Sequence, residues 1–214
     1  MSIIKKFNEF VNENLANSQK KDIIINTRKE LDEIIKSAYE EQGKGDTLTL
    51  DFTGRKIMVD DLSYLFDGYK RVKLIIGLDT WDVSHVTDMS GMFYDCQYLK
   101  ALELNNWDVS KVTNMRGMFA KCHHLTNLDI RNWDVRQVKR MDHMFENCGN
   151  LKELDLSNWD VRNVEGMSGM FYYCNNLTEL NIGNWDVSQV KDMFQMFAKC
   201  PVQYTKKGNK LVKK

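Results

Sequence analysis

The sequence has no net charge: 30 lysines and arginines balance 30 aspartates and glutamates. Nothing global therefore draws it to nucleic acid or to an anionic membrane surface. No apolar run approaches the ~20 residues of a membrane span. The opening MSIIKKFNEFVNENL has no continuous apolar core, because Lys5, Lys6, Asn8 and Glu9 interrupt it. No secretory signal is read there, and a cytoplasmic location is expected. Motifs of catalysis are missing too. There is no phosphate loop, no G-x-G-x-x-G and no H-E-x-x-H. The four histidines, His85, His123, His124 and His143, stand in no nucleophile or metal motif. The expectation is a chain that is not an enzyme and carries no cofactor or metal.

What is present is a period. Trp81, Trp107, Trp133, Trp159 and Trp185 recur every 26 residues and are all the tryptophans of the chain. Cys96, Cys122, Cys148, Cys174 and Cys200 recur in the same way and are all the cysteines. Phe93, Phe119, Phe145, Phe171 and Phe197 follow the same grid, as do the methionine pairs from Met89/Met92 to Met193/Met196. Rare residue types locked in one phase define a tandem repeat. Each unit has two halves. In VTNMRGMFAKC the apolar Val112, Met115, Met118, Phe119 and Cys122 step by three and four, which is helical spacing. In LKALELNNW, Leu102 and Leu104 alternate with Ala101, Glu103 and Asn105, which is strand spacing. The pattern predicts an α/β, right-handed leucine-rich-repeat-like solenoid, with one short parallel strand and one short helix per unit and a helical N-terminal cap.

The chain divides accordingly. Residues 1–20 read as an amphipathic helix carrying Ile3, Ile4, Phe7, Phe10, Val11 and Leu15. Residues 21–46 read as a capping strand and helix, the helix opened by a capping box at Thr27 and Glu30. Residues 47–80 are a degenerate first unit, in which Val59, Leu62, Leu65, Phe66 and Val72 match the next unit at an offset of 27. Residues 81–200 are the regular repeats. Residues 201–214 follow Pro201 as a capping hairpin around Gly208 and a basic tail.

Equivalent positions in stacked units form columns. The tryptophan, phenylalanine, methionine and leucine columns are expected in the core. The cysteines form a line, which suits neither a converging metal site nor paired disulfides, so buried free thiols are expected. Asp82, Asp108, Asp134, Asp160 and Asp186 sit where a carboxylate accepts backbone N–H bonds of the following turn.

Variable strand positions are candidates for contact. One column holds Ala101, Asn127, Glu153 and Glu179; the next holds Glu103, Asp129, Asp155 and Asn181; the third holds Asn105, Arg131, Ser157 and Gly183. The sites singled out for a partner are Glu103, Asp129, Glu153, Asp155, Glu179 and Arg131. Between residues 46 and 200 there are 17 basic against 22 acidic side chains, while the tail after Cys200 has five lysines and no acid. An acidic face suits a basic protein partner, a cation or the chain's own lysine tail. The other half of the repeat carries Lys111, Arg116, Lys121, Arg136, Lys139, Arg140 and Arg162, but with acids interleaved and no exposed aromatic pattern, so nucleic acid is not the expected partner. A monomer is expected.

The unit NWDVSKVTNMRGMF with its following C-x-x-L-x-x-L-x-L closely resembles the BspA-type leucine-rich repeats, found also in mycoplasma lipoproteins. The likeness covers 81–200 strongly and 47–80 weakly. It implies an extended repeat protein engaged in adhesion or protein binding, often on a bacterial surface, and brings no catalytic residues. The start IKKFNEFVNE is similar to those of some bacteriophage proteins. That similarity implies a second role, a structural component of a phage particle or bacterial surface assembly.

Overall fold

The computed structural model describes residues 23–41, 47–183 and 185–214. The amphipathic helix expected over 1–20 lies outside the described residues.

The N-terminal end is built from β1 (Ile23–Ile25), α1 (Arg28–Glu41), β2 (Leu48–Asp51) and β3 (Arg55–Ile57). Thr27 opens α1 by accepting the Glu30 N–H on its Oγ1 at 3.2 Å, which satisfies a first-turn donor that has no helical partner. Leu31 and Ile35, four apart on one face, are fully buried. The helix spans the end of the repeat stack. Arg28 at its start donates to the Asp61 carbonyl at 3.2 Å, and Tyr39 near its end sets its ring edge-on to Tyr69 at 4.7 Å. Strand β1 pairs with β3 in parallel, and β2 pairs in parallel with β4 (Val72–Ile76).

From there the repeats lie side by side. Single parallel bridges run Asp61–Asp88–Asn114–Arg140–Gly166–Asp192. The first step spans 27 residues and every later one 26. The leucine half supplies β5 (Ala101–Leu102), β6 (Asn127–Leu128), β7 (Glu153–Asp155) and β8 (Glu179–Asn181), with β5 parallel to β6 and β7 parallel to β8.

The methionine half differs from its sequence expectation. Its spacing predicts a short helix in each repeat, but among the described residues 81–200 it forms consecutive turns. The hydrogen bonds give the reason. The N–H groups of Met89, Gly91, Phe93 and Asp95 donate to the next repeat, at Asn114, Arg116, Met118 and Ala120, over 2.8–3.0 Å. Those of Met92, Tyr94 and Cys96 donate back three residues, to Met89, Gly91 and Phe93. Alternate donors thus leave for the neighbouring repeat, and no i→i−4 ladder survives. Two residues per repeat also take positive φ, for example Gly91 at 59° and Asp95 at 56°, which a right-handed helix does not hold. Tight turns still return every third or fourth side chain inward, so the apolar pattern of a helix and of this turn chain coincide.

The core is a set of ladders. The phenylalanines from Phe66 to Phe197 stack with centroids 5.4–5.6 Å apart. The tryptophans stack at 6.3–6.4 Å. Each inner indole N–H also donates to the preceding repeat, as Trp133 does to the Leu104 carbonyl at 3.0 Å. All five cysteines are free and buried. Cys96, Cys122, Cys148 and Cys174 donate Sγ–H to the phenylalanine carbonyl of the repeat before, at 3.0–3.2 Å. At the far end, β9 (Tyr204–Lys207) and β10 (Lys210–Lys213) form an antiparallel hairpin, with Gly208 at φ 59° in its turn. It folds back on the last repeat through buried Leu211, the Tyr204 ring 5.5 Å from Phe197, and the Tyr204 hydroxyl on the Leu180 carbonyl at 2.9 Å.

Candidate partner-binding groove on the strand face

Strand alternation decides which side chains reach the surface. Leu102, Leu128, Leu154 and Leu180 point inward and are buried, so the residues on either side of each point outward. On this outer face lies a groove of about 440 Å³, lined by Asp129, Arg131, Glu153, Asp155, Glu179 and, from the hairpin, Lys213. Thr126, Asn127, Thr178 and Asn181 complete its polar wall. Five of the six candidate residues thus meet in one place. Glu103 is exposed on the same face but outside the groove.

Within the groove the carboxylates are not equivalent. Asp129 accepts the Arg131 Nε–H at 2.9 Å, and hydrogen bonding and charge from Asp129 push the exposed Arg131 guanidinium above its ordinary value. Asp155 accepts the Ser157 backbone N–H at 3.0 Å. Hydrogen bonds from the Ser157 side chain and backbone hold its carboxyl below the usual range. Asn181 makes the same bond to Gly183 at 3.1 Å. This column therefore builds the turn that follows each strand, so it is not free of structural duty. Glu153 and Glu179 differ. Both are exposed, and neither carboxylate has a hydrogen bond or ion pair among the described residues. They are the groove's uncompensated negative charges. The lysine tail, one of the expected occupants of the acidic face, reaches the rim through Lys213, which the docked hairpin carries there.

On the turn side part of the charge is paired in place, while Lys111, Arg116 and Lys139 are exposed without an ion pair among the described residues. Arg136 pairs with Asp134 at 2.6 Å, Arg162 with Asp160 at 2.7 Å, Arg140 with the buried Asp142 at 2.6 Å, and Lys191 with Glu165 at 2.5 Å. The lysine of Lys121 rests on the Tyr94 hydroxyl. A second groove of about 310 Å³ is lined by Arg131, Trp133, Asp134, Arg136 and Asp160, and its arginines are already paired. Among the described residues no group of three or more His, Cys, Asp or Glu is placed to hold a metal ion. No described helix is long and apolar enough to cross a membrane.

These features define a tandem-repeat protein whose units stack through aromatic, thiol and turn ladders and present a row of short parallel strands. Comparison with family models makes the assignment specific. Residues 60–154 and 144–206 match the family described as Mycoplasma protein of unknown function, DUF285. The chain belongs to that family. No curated protein and no solved structure matches it.

Proposed function

We propose that the chain is a non-enzymatic interaction module. In this reading it is a right-handed, BspA-type leucine-rich-repeat solenoid whose strand face takes a basic segment of a protein partner. The observation that carries it is the groove over β6–β8 with the unpaired carboxylates of Glu153 and Glu179. The strand face is the usual binding surface of stacked repeats. Small-molecule sites are mostly apolar cavities with a few polar groups, whereas this wall is a row of charged and polar side chains. On the turn side four cations are paired in place, and acids are interleaved with the exposed Lys111, Arg116 and Lys139.

The test is binding of a short peptide alternating lysine and glycine, followed by calorimetry at low and at physiological salt. The wild type should bind it with an affinity that falls as salt rises. Glu153→Lys with Glu179→Lys should lose about tenfold or more. Both side chains are free of turn bonds, so circular dichroism should show the fold intact. Equal binding by the double variant would remove the groove from consideration.

A further inference from the structure

The strand face changes character along the stack. The Lys100 N–H donates to Lys73, the Thr126 N–H to Lys100 and the Thr178 N–H to Lys152. These bonds, with the β5–β6 and β7–β8 registers, align β4 with the repeats. Leu74 stands in the column that runs from Thr49 on β2 through Ala101, Asn127, Glu153 and Glu179. Ile76 stands in the column that runs from Asp51 on β2 through Glu103, Asp129, Asp155 and Asn181. On β4, Val72 and Ile75 are buried, while Leu74 is 39% and Ile76 42% exposed.

Past Thr49 and Asp51, the face thus shows two adjacent apolar side chains on β4 and, farther along, two free carboxylates. Ala101 and Asn127 lie between them in the first column. The second column turns acidic two repeats sooner, at Glu103, and Arg131 then offsets Asp129. Lys213 marks the end of the anionic stretch. An exposed leucine alone is ordinary. Two side by side on β4, on the surface already read as a binding face, are a second recognition feature.

Resting on the groove reading, we infer that the partner segment is asymmetric along its length: an apolar pair seated on Leu74 and Ile76, and lysine or arginine side chains over Glu153 and Glu179. Strands in a sheet stand ~4.8 Å apart, so three to four steps separate the two ends by ~14–19 Å. An extended chain covers that in about four to six residues at ~3.3 Å each. The occupant is therefore an extended polypeptide of another protein, laid across the strands. Charge complementarity sets its basic end, and burial of Leu74 and Ile76 its apolar end.

The probes are synthetic peptides with two leucines, a glycine–serine spacer of about five residues and three lysines, made in both chain directions, and an interleaved peptide of the same composition. Fluorescence anisotropy on the full chain should show one block peptide binding about tenfold tighter than the interleaved one. Leu74→Ser with Ile76→Ser should erase that advantage and keep the salt-dependent component. Glu153→Lys with Glu179→Lys should lose both. Equal affinity for block and interleaved peptides, or no effect at Leu74 and Ile76, would overturn the inference and leave the acidic groove standing. Absence of any lysine-dependent binding by the wild type would bring down the groove reading itself. If Phe7→Asp with Phe10→Asp raises the affinity for the block peptide, the apolar end is covered by the chain's own residues 1–20, and the assignment to another protein falls.

Discussion

Each cysteine occupies a dry slot, and burial pushes its thiol above the ordinary value: well above for Cys122, Cys148 and Cys174, less so for Cys200. A neutral buried thiol is a poor nucleophile. In the native state Cys122, Cys148 and Cys174 should not react with a thiol reagent, Cys200 should react first, and all five should react in denaturant. Prompt native labelling of Cys122 would contradict this packing. Because these folded values are raised, their contribution to stability is intact below the unfolded value of about 8.5. It is lost as pH rises from there through the folded values. The turn aspartates run the other way. Asp82, Asp134, Asp160 and Asp186 are held below the ordinary value by hydrogen bonds from the residue two positions on. The side chain contributes first at Asp82, Asp134 and Asp160, and the backbone N–H first at Asp186. Their contribution is present above the unfolded value of about 3.9 and fades as pH falls through the folded values. The urea midpoint should therefore drop below about pH 4, and Asp160→Asn, which keeps an acceptor but cannot titrate, should flatten the drop. The turn-capping role of these aspartates is readable from W-D-V-S. The same role for Asp129 and Asp155 is not, because a carboxylate after a strand leucine looks like any solvated side chain until its turn is seen.

The methionine segment is the element that most needed three dimensions. One of its positive-φ columns reads Tyr64, Gly91, Gly117, His143, Gly169, Gln195. Bulky members lie over a glycine of the next repeat. A Cβ on Gly91 would meet the Tyr64 ring at 2.3 Å, and one on Gly169 would meet His143 Nδ1 at 2.6 Å. At Gly117 the nearest atom is 3.8 Å away. Gly117→Ala should cost only the left-handed strain, about 1 kcal/mol, and Gly169→Ala about 1–2 kcal/mol more. Putting His143→Ala beside Gly169→Ala should recover that excess, as read by urea denaturation. Equal costs at the two glycines would show that the ring does not occupy the space above Gly169.

At the scale of the molecule, stability depends on having a neighbour on both sides. Phe145 is stacked between Phe119 and Phe171 at 5.6 Å on each side. Phe197 has Phe171 on one side and the tilted Tyr204 on the other. Phe145→Ala should cost about 3–5 kcal/mol, and Phe197→Ala clearly less in the same denaturation assay. The backbone shows the same asymmetry. The N–H groups of Met141, His143 and Phe145 donate to the next repeat at 2.8–2.9 Å. Their equivalents at Met193, Gln195 and Phe197 have no acceptor among the described residues. Amide exchange should be slow at the first three and fast at the last three. Slow exchange at Gln195 in dilute solution would mean that something covers this end.

The sequence by itself determined the period, the phase, the inward columns and the thiols without partners. Rare bulky residues at a constant interval can be buried only if equivalent positions stack. It also carried the acidic bias of the strand face, since variable residues between constant leucines must point outward. Tertiary structure alone decided three things. It replaced helices by turns, because donors that sequence spacing assigns to a helix are claimed by the adjacent repeat. It separated the carboxylates that close turns from the two, Glu153 and Glu179, that stay free in the groove. It also put Lys213 on the same face as Leu74 and Ile76, because the fold-back of the hairpin sets a register that no local pattern encodes.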